Sequence, residues 1–421
     1  MNQPPKSVPN LTPPTDFARA TSIASLAASL ADRFAAPASG SDRAQVSPSP
    51  RAQDAGQAAL RAPLLADETF AAALAGAGQV VFVLMDGLGE QPLATHAPAG
   101  VLSRFRWRSL DSVFPSSTAP ALSALSAAAP PAAHGNPAWL MWSEQIGEII
   151  RTLPMDVRAD HAHSVAAQDV WHWQPWMSGS AASTFSVLPS QTADSVFSRH
   201  AYAGSTIVGY HSMDDVCDHV EAALDAAGTA ASVFVYLPHF DTVSHQSGCA
   251  SDKAHTVVQR LDAWFGQLVE RMRRREVLVL VTADHGFIDV ADADQLQLED
   301  YPALAACLER PLSGEPRVPF CQVRAAAQAD FAATVEAELG DAFAVHTAAE
   351  LLAAGWFGTG DALAGRLGTH LLVPQRAVTL VDQVVGDPPM RFVGMHGGPS
   401  EAEMRVPLIA AWHGEPLSSC G

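Results

Sequence analysis

Three apolar runs in this 421-residue chain lead into an aspartate, and side chains capable of chemistry gather behind each of them. In VVFVLMDGLG, Asp86 follows residues 80–85; in SVFVYLPHFDTVSHQSG, Asp241 follows residues 232–237 after a short turn; in VLVLVTADHGF, Asp284 follows residues 277–281. His245 stands four residues after Asp241, so one helical turn presents both to the same point. His285 adjoins Asp284, and His396 precedes two glycines in MHGGPSEAEM. Thr118 sits between the turn residues 115–117 and a helical pattern carrying Leu122, Leu125 and Ala129. Each of these has an ordinary explanation: an aspartate after a strand serves as a turn or cap residue, and a hydroxyl at a helix N-terminus serves as a cap. As a set, three carboxylates, three imidazoles and one hydroxyl suit a pair of zinc ions, other divalent ions being possible. Such a pair activates a weak hydroxyl nucleophile and holds the leaving oxygen of an in-line displacement. A helix N-terminus adds positive partial charge, which favours a phosphoryl group and an alkoxide at Thr118.

These residues need a scaffold that brings them together. The three runs are apolar throughout, as strands buried on both faces of a parallel sheet are, and ligands bind outside the carboxyl ends of such strands. Gly87 and Gly89 belong where the backbone turns sharply or approaches another group closely. The fold class is therefore α/β. Residues 16–34 place Ile23, Leu26, Leu30 and Phe34 at helical spacing, with Asp16 as the cap of a docked amphipathic helix. Residues 36–57, rich in Pro, Ser, Ala and Gln, read as a linker or an ordered surface loop. Short helices are expected over 67–75 and up to about residue 104, another within 208–228 with Gly228 as its stop, and a long one over 253–275. Residues 139–215 read as irregular and Trp-rich, residues 311–375 as a small α+β insertion, and residues 406–412 as a closing strand.

Composition narrows the function. With 48% hydrophobic and 16% charged residues the chain can bury a large core, enough for one large domain or two ordinary ones. A net charge of −19 and a pI near 5.1 argue against a nucleic-acid polymer as partner, because its phosphates would be repelled. A small anionic substrate stays compatible if metal ions reverse the local field. Five scattered cysteines without CxxC spacing read as reduced thiols in a cytoplasm. The absence of a long apolar run leaves no membrane span, and the polar, Pro-rich start gives no sign of a secretory signal. Oligomeric state is not legible.

The segments FVLMDGLG, FPSSTAPALSAL with PPAAHG, YLPHFDTVSHQSG, VTADHGF and MHGGPSEAEMRVP resemble, in order, the motifs of the alkaline phosphatase superfamily, and most of all its type I phosphodiesterase/nucleotide pyrophosphatase branch. The resemblance spans roughly residues 78–412 and implies a mainly parallel central sheet sandwiched between helices, within a catalytic domain over 61–421 preceded by an arm, helix and linker over 1–60. It implies one zinc held by Asp241, His245 and His396. A second would be held by Asp86, Asp284 and His285, with Thr118 as the nucleophile bridging towards it. It further implies hydrolysis of phosphate diesters or pyrophosphate bonds through a phosphothreonine. Phosphonate or phosphomonoester hydrolysis on the same metals is the alternative, and a non-catalytic binding protein on this scaffold a further one. The pattern departs at one point: nucleotide pyrophosphatases carry an asparagine a few residues beyond the HG of PxxHG, whereas here Asn136 comes early and Trp139 stands near the expected place.

Overall fold

The computed structural model describes residues 13–15, 21–36, 64–385, 387 and 391–417. Seven strands form the body of the central sheet: β1 (Gln79–Met85), β2 (Arg106–Asp111), β3 (Ser183–Pro189), β4 (Thr206–Tyr210), β5 (Ala231–Leu237), β6 (Val277–Thr282) and β7 (Arg405–Trp412). Their spatial order is β2-β7-β6-β1-β5-β3-β4. β1 pairs in parallel with β5 and β6, β3 in parallel with β4 and β5, and only β7 runs antiparallel to its neighbours β2 and β6. The apolar runs explain the arrangement. Every residue of β6 is buried, and so is every residue of β1 after Gln79. Strands of this kind need cover on both faces, which crossover helices supply.

Four helices matter for the site: α1 (Ile23–Phe34), α2 (Thr118–Ala127), α3 (His239–Ser247) and α4 (Asp252–Met272). On α4 the buried residues Val258, Leu261, Phe265, Leu268 and Met272 recur at intervals of three and four, and Ser251 caps its start by accepting from the Ala254 N–H at 3.1 Å. α1 packs against α2 and buries Ile23, Leu26, Leu30 and Phe34 in the main core. It begins at Ile23 with Ser22 as its cap, later than the expected start at Asp16, which lies outside the described residues. From residue 37 the expected linker lies outside them too.

Register places the site. Leu84 of β1 lies beside Thr282 of β6, and Met85 lies beside Leu237 of β5. The chain segments that follow all three strands therefore emerge at one sheet edge. β7 runs the other way, so the segment preceding it, which carries His396, reaches the same edge.

Residues 139–215 are not irregular. They supply β3 and β4 and four strands of a second sheet, Leu140–Ser143, Glu148–Arg151, Asp156–Val157 and Asp160–Ser164. The helix expected within 208–228 runs over Val216–Ala227, with Gly228 after it, and the preceding residues belong to β4. The second sheet continues through Ser313–Gly314, Pro319–Cys321, His370–Pro374 and Phe343–Thr347. The α+β region expected over 311–375 thus shares its sheet with residues 140–164. Strands of two to five residues with mixed burial carry no readable period, which is why they escape a sequence reading. Among the described residues no helix is long and apolar enough to cross a membrane, and the four described cysteines form no disulfide.

Candidate metal and nucleophile site

At that sheet edge the seven side chains singled out by sequence meet. His245 Nε2 is 3.3 Å from Asp241 Oδ1 and 3.2 Å from His396 Nε2, and His396 Nε2 is 3.7 Å from Asp241 Oδ1. Beside this trio, His285 Nε2 is 3.4 Å from Asp86 Oδ1 and 3.6 Å from Asp284 Oδ2. Thr118 Oγ1 lies 3.1 Å from His285 Nε2, and the His285 and His396 rings stack at 3.7 Å, joining the two groups. Both Asp86, Asp284, His285 and Asp241, His285, His396 keep their donor atoms within 4.8 Å of one another. Asp241 and His245 occupy one face of α3, as their spacing requires, and Thr118 opens the ten-residue helix α2.

The backbone orients these ligand atoms. The Nδ1 atoms of His245, His285 and His396 face the carbonyls of Gly394 (2.9 Å), Gly286 (3.0 Å) and Ser116 (3.2 Å). A carbonyl only accepts, so each Nδ1 carries the proton and each Nε2 turns a lone pair to the centre of the site. Asp284 accepts from the Gly87 N–H at 2.9 Å and the His285 N–H at 3.1 Å, while the Tyr236 hydroxyl donates to Asp86. Gly87 adopts φ +73°, and a Cβ there would meet the Phe287 ring at 2.4 Å, so the tight turn after β1 demands glycine.

The donor set fits divalent cations. Asp86 Oδ1, Asp241 Oδ1 and Asp284 Oδ2 are buried atoms with no hydrogen-bond partner, and a buried anionic oxygen without a donor is costly. The facing Nε2 atoms of His245 and His396 are favourable only with a proton or a cation between them. Burial, and then the charges of Asp284 and Asp241, push the Asp86 carboxyl well above its ordinary range. Burial, and then His285 and His245, push His396 well below its own. Burial also pulls His245 down, but Asp241, the Gly394 carbonyl and Glu315 together outweigh it and raise the imidazole. Carboxylates crowded against imidazoles in this way are relieved by positive charge.

The site opens into a cavity of about 680 Å³ whose lining includes Thr118, Trp139, Glu315, Tyr236, Arg158 and His396. Trp139 faces this space, whereas Trp171 and Trp173 are buried in the core and Phe114 and Phe240 pack against other rings. Asn136 is fully buried behind Thr118, donating to Ser123 Oγ at 2.9 Å and to the Ala119 carbonyl at 3.3 Å.

Three residues that the sequence did not mark complete the surroundings. Glu315 and Arg317 lie in a tight turn between Ser313–Gly314 and Pro319–Cys321. Glu315 accepts from the Trp139 N–H at 2.7 Å and from Ser117, and burial raises its carboxyl to about 7. Arg317 forms a two-pronged pair with the fully buried Glu403, at 2.9 and 2.8 Å. Glu403 in turn accepts from the Gly398 N–H at 2.8 Å and Ser400 Oγ at 2.6 Å, fixing the loop behind His396.

A family model described as type I phosphodiesterase / nucleotide pyrophosphatase matches residues 80–399, a segment that contains all seven residues. The chain belongs to the type I phosphodiesterase/nucleotide pyrophosphatase family. Its fold is shared with murine ectonucleotide pyrophosphatase/phosphodiesterase 5, with a TM-score of 0.60 and 17% identity over 79% of this chain and 87% of that one. An inactive form of the same murine protein in complex with AMP matches at TM-score 0.59 and 18% identity, over 79% of this chain and 87% of that one. Phosphonoacetate hydrolase from Sinorhizobium meliloti 1021, in complex with phosphonoacetate, matches at TM-score 0.56 and 16% identity, over 80% and 90% of the two chains. Within the sequence, 89 residues are 29% identical to an uncharacterized pyrophosphatase/phosphodiesterase of Schizosaccharomyces pombe, covering 20% of this chain and only 18% of that relative. Family and fold together place this phosphodiesterase-family chain in the alkaline phosphatase superfamily.

Proposed function

We propose that this protein hydrolyses phosphate diesters or pyrophosphate bonds through a phosphothreonine on Thr118. The observation that carries the reading is the position of the Thr118 hydroxyl. It lies 3.1 Å from His285 Nε2, at the start of α2, and lines the same cavity as Asp86, Asp241, His245 and His396. Divalent cations held by Asp241, His245 and His396 on one side and by Asp86, Asp284 and His285 on the other would neutralise phosphoryl charge and make the Thr118 hydroxyl acidic enough to react. Zinc suits this mix of imidazole and carboxylate donors.

The chain's own residues perform the rest. Thr118 Oγ1 releases its proton to solvent and forms a bond to phosphorus as the bond to the leaving oxygen breaks in line, the departing oxygen taking up a proton from solvent. The N-terminus of α2 adds positive partial charge where the phosphoryl oxygens gather. Water then attacks the phosphothreonine, the bond between phosphorus and Oγ1 breaks, and Thr118 regains its proton. The backbone carbonyls behind the three imidazoles hold each ring against rotation through both steps. Small phosphate-bearing anions are the expected substrates, in line with the AMP and phosphonoacetate complexes of the fold relatives. The unpaired described cysteines support a cytoplasmic setting.

Thr118→Ala tests the reading: the variant should retain its metal, measured by elemental analysis, and lose diester turnover. Unchanged turnover, or a wild-type protein that binds no divalent ion, refutes it. A second reading, hydrolysis of phosphonates or monoesters on the same metals, is favoured by the fold shared with phosphonoacetate hydrolase. A strong preference of the wild-type protein for a phosphonate or a monoester over the matching diester would establish that second reading.

A further inference from the structure

Glu315 has no part in holding cations in the reading above, yet it lines the same cavity as Thr118, Asp241, His245 and His396. Its residue is 5% exposed, and it reaches the site from the second sheet rather than from the central one. Its hydrogen-bond donors are neutral, the Trp139 N–H at 2.7 Å and the Ser117 hydroxyl, and Ser117 is the residue immediately before Thr118; the titratable group facing it is His245. Among the described residues no Arg or Lys pairs with it. The cation two positions along, Arg317, is committed to Glu403 and to the carbonyls of Arg376 and Val378. A carboxylate is thus built into the wall of a site whose substrate carries negative charge, with no Arg or Lys paired to it among the described residues and only the imidazole of His245, already assigned to a cation, as a charged neighbour.

We propose that Glu315 is a specificity-determining residue that makes the site discriminate by charge, favouring singly charged phosphoryl groups over doubly charged ones. The proposal rests on the phosphoryl-transfer reading given above and deepens it. A diester or a phosphonate monoester brings one negative charge to the site, whereas a phosphomonoester dianion brings two. The second charge meets the Glu315 carboxylate in a partly water-excluded cavity, where a repulsion of one unit charge amounts to about 10- to 100-fold in the relevant rate or binding constant. What the site reads is then charge, not the number of ester bonds.

Glu315→Gln removes the charge and keeps an oxygen to accept from the Trp139 N–H and from Ser117, so the local fold is preserved. Three substrates with one leaving group separate the possibilities at about pH 8.5: bis(p-nitrophenyl) phosphate and p-nitrophenyl phenylphosphonate, each a monoanion, and p-nitrophenyl phosphate, a dianion. The expected result is a rise of about tenfold or more in kcat/KM for the dianion relative to both monoanions, whose mutual ratio stays constant. Three results overturn the proposal. The three rates change in the same proportion, as a purely structural role requires; the ratios stay within about twofold of wild type; or the phosphonate monoester follows the phosphomonoester. A binding measurement distinguishes this failure from failure of the underlying reading. If the wild-type protein turns over none of the three, the phosphothreonine reading falls, and calorimetry then decides the fate of Glu315. In metal-loaded Thr118→Ala, adding Glu315→Gln should tighten inorganic phosphate relative to diphenyl phosphate by about tenfold, and an unchanged ratio refutes the selectivity.

Discussion

Replacing Arg317 by Met tests how the loop behind His396 is held. The Arg317 side chain is 3% exposed and that of Glu403 0%, and they share two hydrogen bonds of 2.9 and 2.8 Å. Removing the guanidinium leaves a buried carboxylate with only the Gly398 N–H and Ser400 Oγ as donors. It also strips the carbonyls of Arg376 and Val378 of the donor that Arg317 Nη1 supplies at 2.8 and 2.7 Å. Breaking one partner out of a buried pair costs about 3–5 kcal/mol, most of it from the charge left behind. Arg317→Met/Glu403→Gln removes that charge while keeping an acceptor for Gly398 and Ser400, so it should recover to within about 2 kcal/mol of wild type. Urea unfolding of the chelated proteins, followed by both circular dichroism and tryptophan fluorescence, measures the differences, coincident transitions licensing a single free energy. A single variant within about 1 kcal/mol of wild type refutes the reasoning, as does a double variant no more stable than the single one. The loop also feeds the site, since Ser116 Oγ donates to the Gly398 carbonyl at 2.7 Å and the Ser116 carbonyl accepts from His396. Arg317→Met should therefore weaken divalent-ion affinity as well as the fold.

Two further perturbations follow from the same geometry. Tyr236→Phe removes the hydroxyl that donates to Asp86, so divalent-ion affinity should fall by about 10- to 100-fold in a chelator competition, and an unchanged affinity rejects that role for Tyr236. His134 is buried with its Nε2 unpartnered, and burial, then the Arg366 charge, lower its pKa from 6.5 to about 3. A depressed pKa contributes stability that is present above the unfolded value and is lost as pH falls towards the folded one. Between about pH 7 and about pH 5 this imidazole should therefore cost about 2 kcal/mol, and chelated His134→Gln should show a correspondingly shallower decline than chelated wild type. Equal slopes in the two proteins refute it.

The contrast between what the sequence displays and what it hides has a physical basis. β1, β5 and β6 are buried on both faces, so they appear as unbroken apolar runs, and the acids behind them stand out against that background. The Asp241 and His245 pair is visible because helical geometry turns a spacing of four into one face. β4 is the edge strand and β3 its neighbour, and STFSVLP and TIVGY mix polar and apolar residues without a clean alternation. The second sheet is harder still, because its strands from 140–164 and from 313–374 meet only in space. Glu315 and Arg317 belong to that meeting. Their partners Ser117, Trp139 and Glu403 lie some 80 to 200 positions away in the chain, and a buried carboxylate leaves the same letter in a sequence as an exposed one. The tight turn in SGEPRVPF was the one local signal available, and it marks a change of direction without saying what the charges face.

The central claim, that six of the seven side chains hold two cations beside the seventh, Thr118, is tested most directly by anomalous diffraction at the zinc absorption edge from crystals of the zinc-loaded, active protein. The account predicts two peaks about 3.5–4 Å apart, one among Asp241, His245 and His396 and the other among Asp86, Asp284 and His285, with Thr118 Oγ1 next to the second. Peaks confined to other residues, or no ordered ion in crystals of protein that turns over substrate, would contradict it.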